Sequence, residues 1–249
     1  MKKQKAMALL LTAAVMVIGA TGCKGGAKAE TEGEVTQAQG APEGGVSTIV
    51  MELMNDPSSL QPSTINQQVV MEMRMNYYER LFEWDYSGEV SPLLAESFEW
   101  VDDLHLKIRI HDNITTHSGK SLKASDVKFS LELARDSAEF ARHTTNIDYD
   151  NIEIVDDYTI ILPLKEQNVL TWNDLTRIDI VSQADFEESS DQMITTPVGT
   201  GPYRVVSYTE GVELVMEKNE DYWNKDQTEV QQQNVDRIVY KFVPEEAQR

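Results

Sequence analysis

The sequence predicts a mixed α/β fold built on twisted sheets. Three observations carry that prediction. Short segments alternating apolar and polar residues recur along most of the chain, several sit in pairs about acidic or glycine turns, and a few stretches of helical spacing separate them.

The first strand is expected over residues 48–54, closed by Asn55-Asp56-Pro57, because proline cannot continue a ladder and Asn and Asp favour turns. Residues 65–79 lack Gly and Pro and space Ile65, Val69, Met73 and Tyr77 by four, which predicts a helix. Residues 81–86, the Ser87-Gly88 turn and Pro92 suggest a short hairpin. Leu104, Leu106, Ile108 and Ile110 alternate with His105, Lys107 and Arg109, the period of a half-buried strand. Val127, Leu131 and Ala134 predict a helix over 124–135, with Asp126 placed in its first turn to complement the helix dipole. Two hairpins follow, one pairing 152–155 with 158–164 about Asp156-Asp157, the other pairing 203–208 with 212–218 about Glu210-Gly211. A last strand is expected over 235–243.

The ends of the chain carry a different message. Lys2, Lys3 and Lys5 precede an apolar run from residue 6 to 18 and a small-residue stretch, Gly19-Ala20-Thr21-Gly22, which reads as an export signal peptide over 1–22. The run is shorter than the roughly 20 residues a spanning helix needs. Cys23, the only cysteine, follows directly and has no internal disulfide partner. Residues 23–47 are rich in Gly, Ala, Glu and Gln without an aromatic residue, so they read as a flexible linker ahead of a folded module.

Charge and motifs exclude several function classes. With 22 basic against 42 acidic residues, a net charge of -20, the chain is a poor partner for nucleic acid or an anionic lipid surface. His117-Ser118-Gly119-Lys120-Ser121 ends like a phosphate-binding loop, but Ile114 occupies the position of the glycine that lets such a loop wrap phosphates. Gly199-Thr200-Gly201 begins like a dinucleotide fingerprint, yet Pro202 and Tyr203 follow and lead into a strand. His105, His111 and His117 recur every six residues, and a strand would set the first two about 20 Å apart, too far for shared metal coordination. Asp102-Asp103 and Asp156-Asp157 read as turn residues rather than paired catalytic acids. The stretch of residues 196–208, TPVGTGPYRVVSY, is left as a phosphate cradle, an active-site loop or a structural corner.

Three segments resemble one family, and a fourth stretch resembles a general processing signal. Ala20-Thr21-Gly22-Cys23 resembles the bacterial lipobox, with Ala20 where Leu is usual. Glu79-Arg80-Leu81-Phe82 through Pro92-Leu93-Leu94-Ala95-Glu96-Ser97-Phe98, the run from His117 to Ser130, and Pro197-Val198-Gly199-Thr200-Gly201-Pro202-Tyr203 followed by Asn219-Glu220-Asp221-Tyr222-Trp223 resemble the signatures of the extracytoplasmic solute-binding proteins of the peptide and nickel family, family 5. Lys123 stands in place of a capping Thr, Ser118 in place of Asp and Phe98 in place of Trp.

The resemblance implies a periplasmic-binding-protein-like fold (type II, cluster C), of which residues 48–249 would form the first lobe. The sequence stops at Arg249 in what resembles the opening turn of the next helix, so the second lobe is expected to be missing and ligand binding by this portion alone to be weak or nil. It implies lipidation at Cys23, localisation on the outer face of the bacterial cytoplasmic membrane, and delivery of oligopeptides to an ABC permease and its ATPase subunits. No cofactor and no catalytic residue are implied. Asn55 and Glu79 fall near segments that border the ligand cleft; Gly199, Gly201, Pro202, Tyr203, Tyr222 and Trp223 would form a structural corner. A nickel-complex or oligosaccharide binder, a membrane-tethered sensor and an exported enzyme on the same scaffold remain open as other readings.

Overall fold

The computed structural model describes residues 45–65, 67–225 and 235–243. The predicted leader, Cys23 and the linker up to residue 44 lie outside the described residues. Ser47, the last residue of the predicted linker, gives its amide and hydroxyl to the Asp236 carboxylate at 2.7 and 2.8 Å and so fixes the entry to the first strand.

Two four-stranded sheets organise the described residues. In the first, β1 (Thr48–Leu53) lies parallel to β10 (Arg237–Phe242), which runs antiparallel to β9 (Glu213–Lys218), itself paired with β8 (Tyr203–Thr209). The second has the order β4 (Ala95–Trp100), β5 (His105–Ile110), β7 (Thr159–Pro163), β6 (Glu153–Asp156), all antiparallel. A small hairpin of β2 (Phe82–Trp84) and β3 (Val90–Pro92) completes the β-structure. Its turn is set by the Asp85 carboxylate, which accepts the amides of Ser87 and Glu89, and by Gly88 at φ +79°.

The strand alternation read in the sequence is real in β5, where Leu106, Ile108 and Ile110 are fully buried and the intervening residues half-buried. The other face of that sheet is solvated, with Lys107 paired to Glu99 and Arg109 to Glu96. Helix α2 (Ala124–Asp136) covers the buried face through Val127, Leu131 and Ala134. Val127 and Leu131 each contribute about 1.5–3 kcal/mol on burial, and the Ala134 methyl about 1 kcal/mol. Phe129 and Leu133 on the same helix pack against the second cluster, formed with the β1-β10-β9-β8 sheet, so α2 serves both cores. The missing Thr at Lys123 is offset: the Asp126 carboxylate accepts the Lys123 amide at 2.7 Å and the Gln183 amide at 2.8 Å, tying the start of α2 to the start of α4 (Gln183–Glu188).

The helix predicted over 65–79 is shorter. Helix α1 spans Gln68–Arg74 and buries Val70, Met71, Met73 and Arg74, whereas Val69 is exposed. Tyr77 is fully buried, but beyond the helix. The helix stops there because the carbonyls of Asn76 and Tyr77 accept the amides of Tyr203 and Gly201 from a distant segment. Strand β4 and the short helices α3 (Thr171–Leu175) and α4 carry no periodic pattern that predicts them.

Candidate functional site

The glycine-proline segment packs its backbone against the turn after α1. Gly201 donates to the Tyr77 carbonyl at 3.2 Å and Tyr203 to the Asn76 carbonyl at 2.9 Å. A Cβ on Gly201 would sit 2.7 Å from the Asn76 oxygen, and one on Gly199 would collide with the Tyr77 carbonyl. Glycine is therefore required here for close approach of two backbones.

His117 closes the corner from the other side. Its amide donates to the Gly199 carbonyl at 2.8 Å, its Nδ1 accepts the Gly199 amide at 3.3 Å, and its Nε2 lies 3.0 Å from the Gly201 carbonyl. Only the neutral ring with its proton on Nε2 satisfies both contacts. Burial pulls the ring's pKa down to about 4, in the direction that pairing requires. Asn219 adds its amide to the Pro202 carbonyl at 2.8 Å and its side-chain nitrogen to the Gly201 carbonyl at 3.3 Å. Tyr203 gives its hydroxyl to the Val235 carbonyl.

Tyr222 and Trp223 converge on Glu79. The Tyr222 hydroxyl donates to Oε1 at 2.6 Å and the Trp223 indole to Oε2 at 2.7 Å. Glu79 is buried, and burial pushes its carboxyl up to about 7 despite these donors, which favour the ionised form. Trp223 is half-buried and its ring lies 5.2 Å from that of His111. Asn55 is elsewhere, in the exposed bend after β1. Its neighbour Asp56 accepts the Tyr208 hydroxyl and the Gly211 amide, fixing that bend to the β8-β9 turn. The three evenly spaced histidines are engaged separately, His105 with Asp102, His111 against Trp223 and His117 in the corner.

One feature has no motif behind it. Arg80 and Arg177 line a cavity of about 180 Å³ with Met71, Met75, Glu83 and Trp84. Arg80 is buried, 3.5 Å from the Asp179 carboxylate that also pairs with buried Arg74, and burial together with Arg74 brings its pKa down to about 10. Arg177 donates to the Met71 sulfur at 3.7 Å and faces no carboxylate in an ion pair among the described residues. Two guanidinium groups line this small cavity with one carboxylate, Glu83, so its local charge is net positive in a chain with a net charge of -20, which favours an anionic group there.

The two sheets, the backbone corner and the strand order define a periplasmic-binding-protein-like fold. The chain belongs to the bacterial extracellular solute-binding proteins, family 5, whose middle-region model matches residues 89–249. It is 28% identical over 170 residues to the glutathione-binding protein GsiB of Pectobacterium atrosepticum, covering 67% of this chain and 33% of that protein. It is 25% identical over 258 residues to the oligopeptide-binding protein AppA of Bacillus subtilis, covering 98% and 46%. Among solved structures, the binding protein AgaA from A. tumefaciens R10 in complex with agropinic acid matches with a TM-score of 0.69 at 26% identity, over 79% of this chain and 40% of that one. A nickel ABC transporter protein from Bacillus halodurans matches with a TM-score of 0.66 at 27% identity, over 79% and 39%. The chain thus spans about a third to under half the length of the relatives it matches.

Proposed function

We propose that this chain is the first-lobe portion of the substrate-binding lipoprotein of an ABC importer, capturing oligopeptides outside the membrane and presenting them to a permease driven by its ATPase subunits. In this reading residues 1–22 are the export signal, Cys23 carries the lipid anchor, residues 23–47 are the linker, and the protein works from the outer face of the membrane without catalysing a reaction. The names of two relatives, a glutathione binder and an oligopeptide binder, support the ligand class.

The observation that carries the reading within this chain is the cavity holding Arg80 and Arg177. A peptide offers a carboxylate to such a pair, and the guanidinium fork matches its geometry. In this reading Asn55, exposed in the bend after β1, contacts the ligand directly. Glu79 acts on the ligand surface through Trp223, whose indole it holds.

Uptake of a labelled tripeptide by cells that carry only the Arg177→Gln form tests this. Uptake should fall by at least about tenfold, the value of one lost charge-assisted contact, and a C-terminally amidated peptide should compete poorly against the wild type. Undiminished uptake in a strain lacking the gene would overturn the importer role; equal competition by the amide would overturn the carboxylate site. For the anchor, Cys23→Ser should release the protein from the membrane fraction and abolish its acyl mass increment.

A further inference from the structure

We propose that a second recess, bounded by Trp100 and Trp172 at one end of the β4-β5-β7-β6 sheet, binds a small organic cation of the alkylammonium class. This goes beyond the peptide reading and does not depend on it.

The recess has a volume of about 720 Å³ and is lined by Trp100, Asp102, Asp103, Gln167, Val169 and Trp172, together with Asn168. Its size is within the range of small-molecule sites, which are mostly apolar with a few polar groups. Trp172 is a fixed wall: its ring meets those of Phe82, Phe98 and Trp100 edge-on, at 5.2, 5.1 and 6.2 Å between centroids. Trp100, by contrast, keeps 43% of its surface exposed and Val169 keeps 89%. That much indole and aliphatic surface left in water favours a ligand with an apolar body.

The charge of the recess selects among apolar ligands. Asp102 is oriented by the amides of Leu104 and His105 and by the His105 ring, at 2.8, 3.0 and 2.8 Å. Asp103 makes no ion pair among the described residues. An anion would meet two carboxylates, and a neutral body would cover them without compensation. A cation with methyl or methylene groups satisfies the carboxylates and lies against the negative faces of the indoles, the arrangement most favourable for cation–π attraction.

The test uses the full chain with its tryptophans 15N-labelled, of which there are four, Trp84, Trp100, Trp172 and Trp223. Choline is the probe and 3,3-dimethylbutan-1-ol is its neutral isostere. Choline should shift the indole signals of Trp100 and Trp172 saturably while leaving those of Trp84 and Trp223 in place, and the alcohol should bind at least about tenfold more weakly. Trp100→Ala should abolish the effect on Trp172. Asp103→Asn changes an exposed side chain, so it keeps the fold and should weaken choline several-fold even if Trp100→Ala does not fold. Absence of saturation, equal binding of the alcohol, or unchanged choline binding by Asp103→Asn would each overturn the proposal.

Discussion

The hydroxyl of Tyr222 donates to Oε1 of Glu79 across 2.6 Å, joining residues 143 positions apart in the core. The Trp223 indole occupies the other oxygen, so the carboxylate is held by two rigid aromatic donors while burial opposes its charge.

Glu79 should therefore set a pH dependence of stability. Its folded-state carboxyl titrates near 7 against an ordinary value of 4.5, so the folded chain binds more protons between those limits. That contribution is fully present below 4.5, is lost as pH rises through 7, and amounts to about 3 kcal/mol. Urea midpoints across this interval should fall with rising pH, and Glu79→Gln should flatten the dependence while losing the Trp223 bond. A slope unchanged in the variant would assign the effect to another group.

His117 should act with the opposite sign. Its ring is held neutral with a pKa of about 4 against the ordinary 6.5, so its contribution is present above 6.5 and lost as pH falls through 4. The ring's 15N shifts should show the Nε2–H tautomer at neutral pH and no titration at the ordinary value. A midpoint at 6.5 would contradict the double contact with Gly199 and Gly201.

Gly201→Ala should destabilise by about 1–3 kcal/mol or more, because the added carbon meets backbone at the corner. Gly211→Ala, at φ +70° with open space around its Cβ position, should cost only about 1 kcal/mol. Chemical denaturation of the two variants side by side checks the contrast, and equal losses would mean that the corner relaxes around the extra methyl.

Asp179→Ala should be the most damaging single change among the buried charges. It leaves Arg74 and Arg80, both buried, without their shared carboxylate, at a cost of about 3–5 kcal/mol. Replacing Arg74 and Asp179 together by apolar residues of similar volume should recover much of that loss. Thermal melts of the single and double variants decide between them, since a double variant no better than the single would mean that Arg80 carries the penalty.

Where one strand face is buried, the alternation was legible, as in β5. It was not in β4, an edge strand with only Ala95 buried, because a strand solvated on both faces needs no pattern. The end of α1 was misjudged for another reason: it is set by amides at positions 201 and 203, far outside any local window. Composition and spacing alone leave the glycine segment between three readings, and only the family resemblance points to a corner, since the distinction rests on whether a second backbone lies against it. Lone side chains were least legible. Nothing near Glu79 in the sequence announces Tyr222 and Trp223 as its partners, and Arg177 sits in no recognisable motif.

The parallel pairing of β1 with β10 has a consequence for the order in which the molecule takes shape. The β4-β5-β7-β6 sheet can close on itself from residues 95–163, but β1 finds its neighbour only once residue 242 has left the ribosome or the export channel. Until then a strand with exposed Ile49 and Val50 has an open edge. Whatever holds the emerging chain apart from its neighbours must do so at least until β10 has emerged.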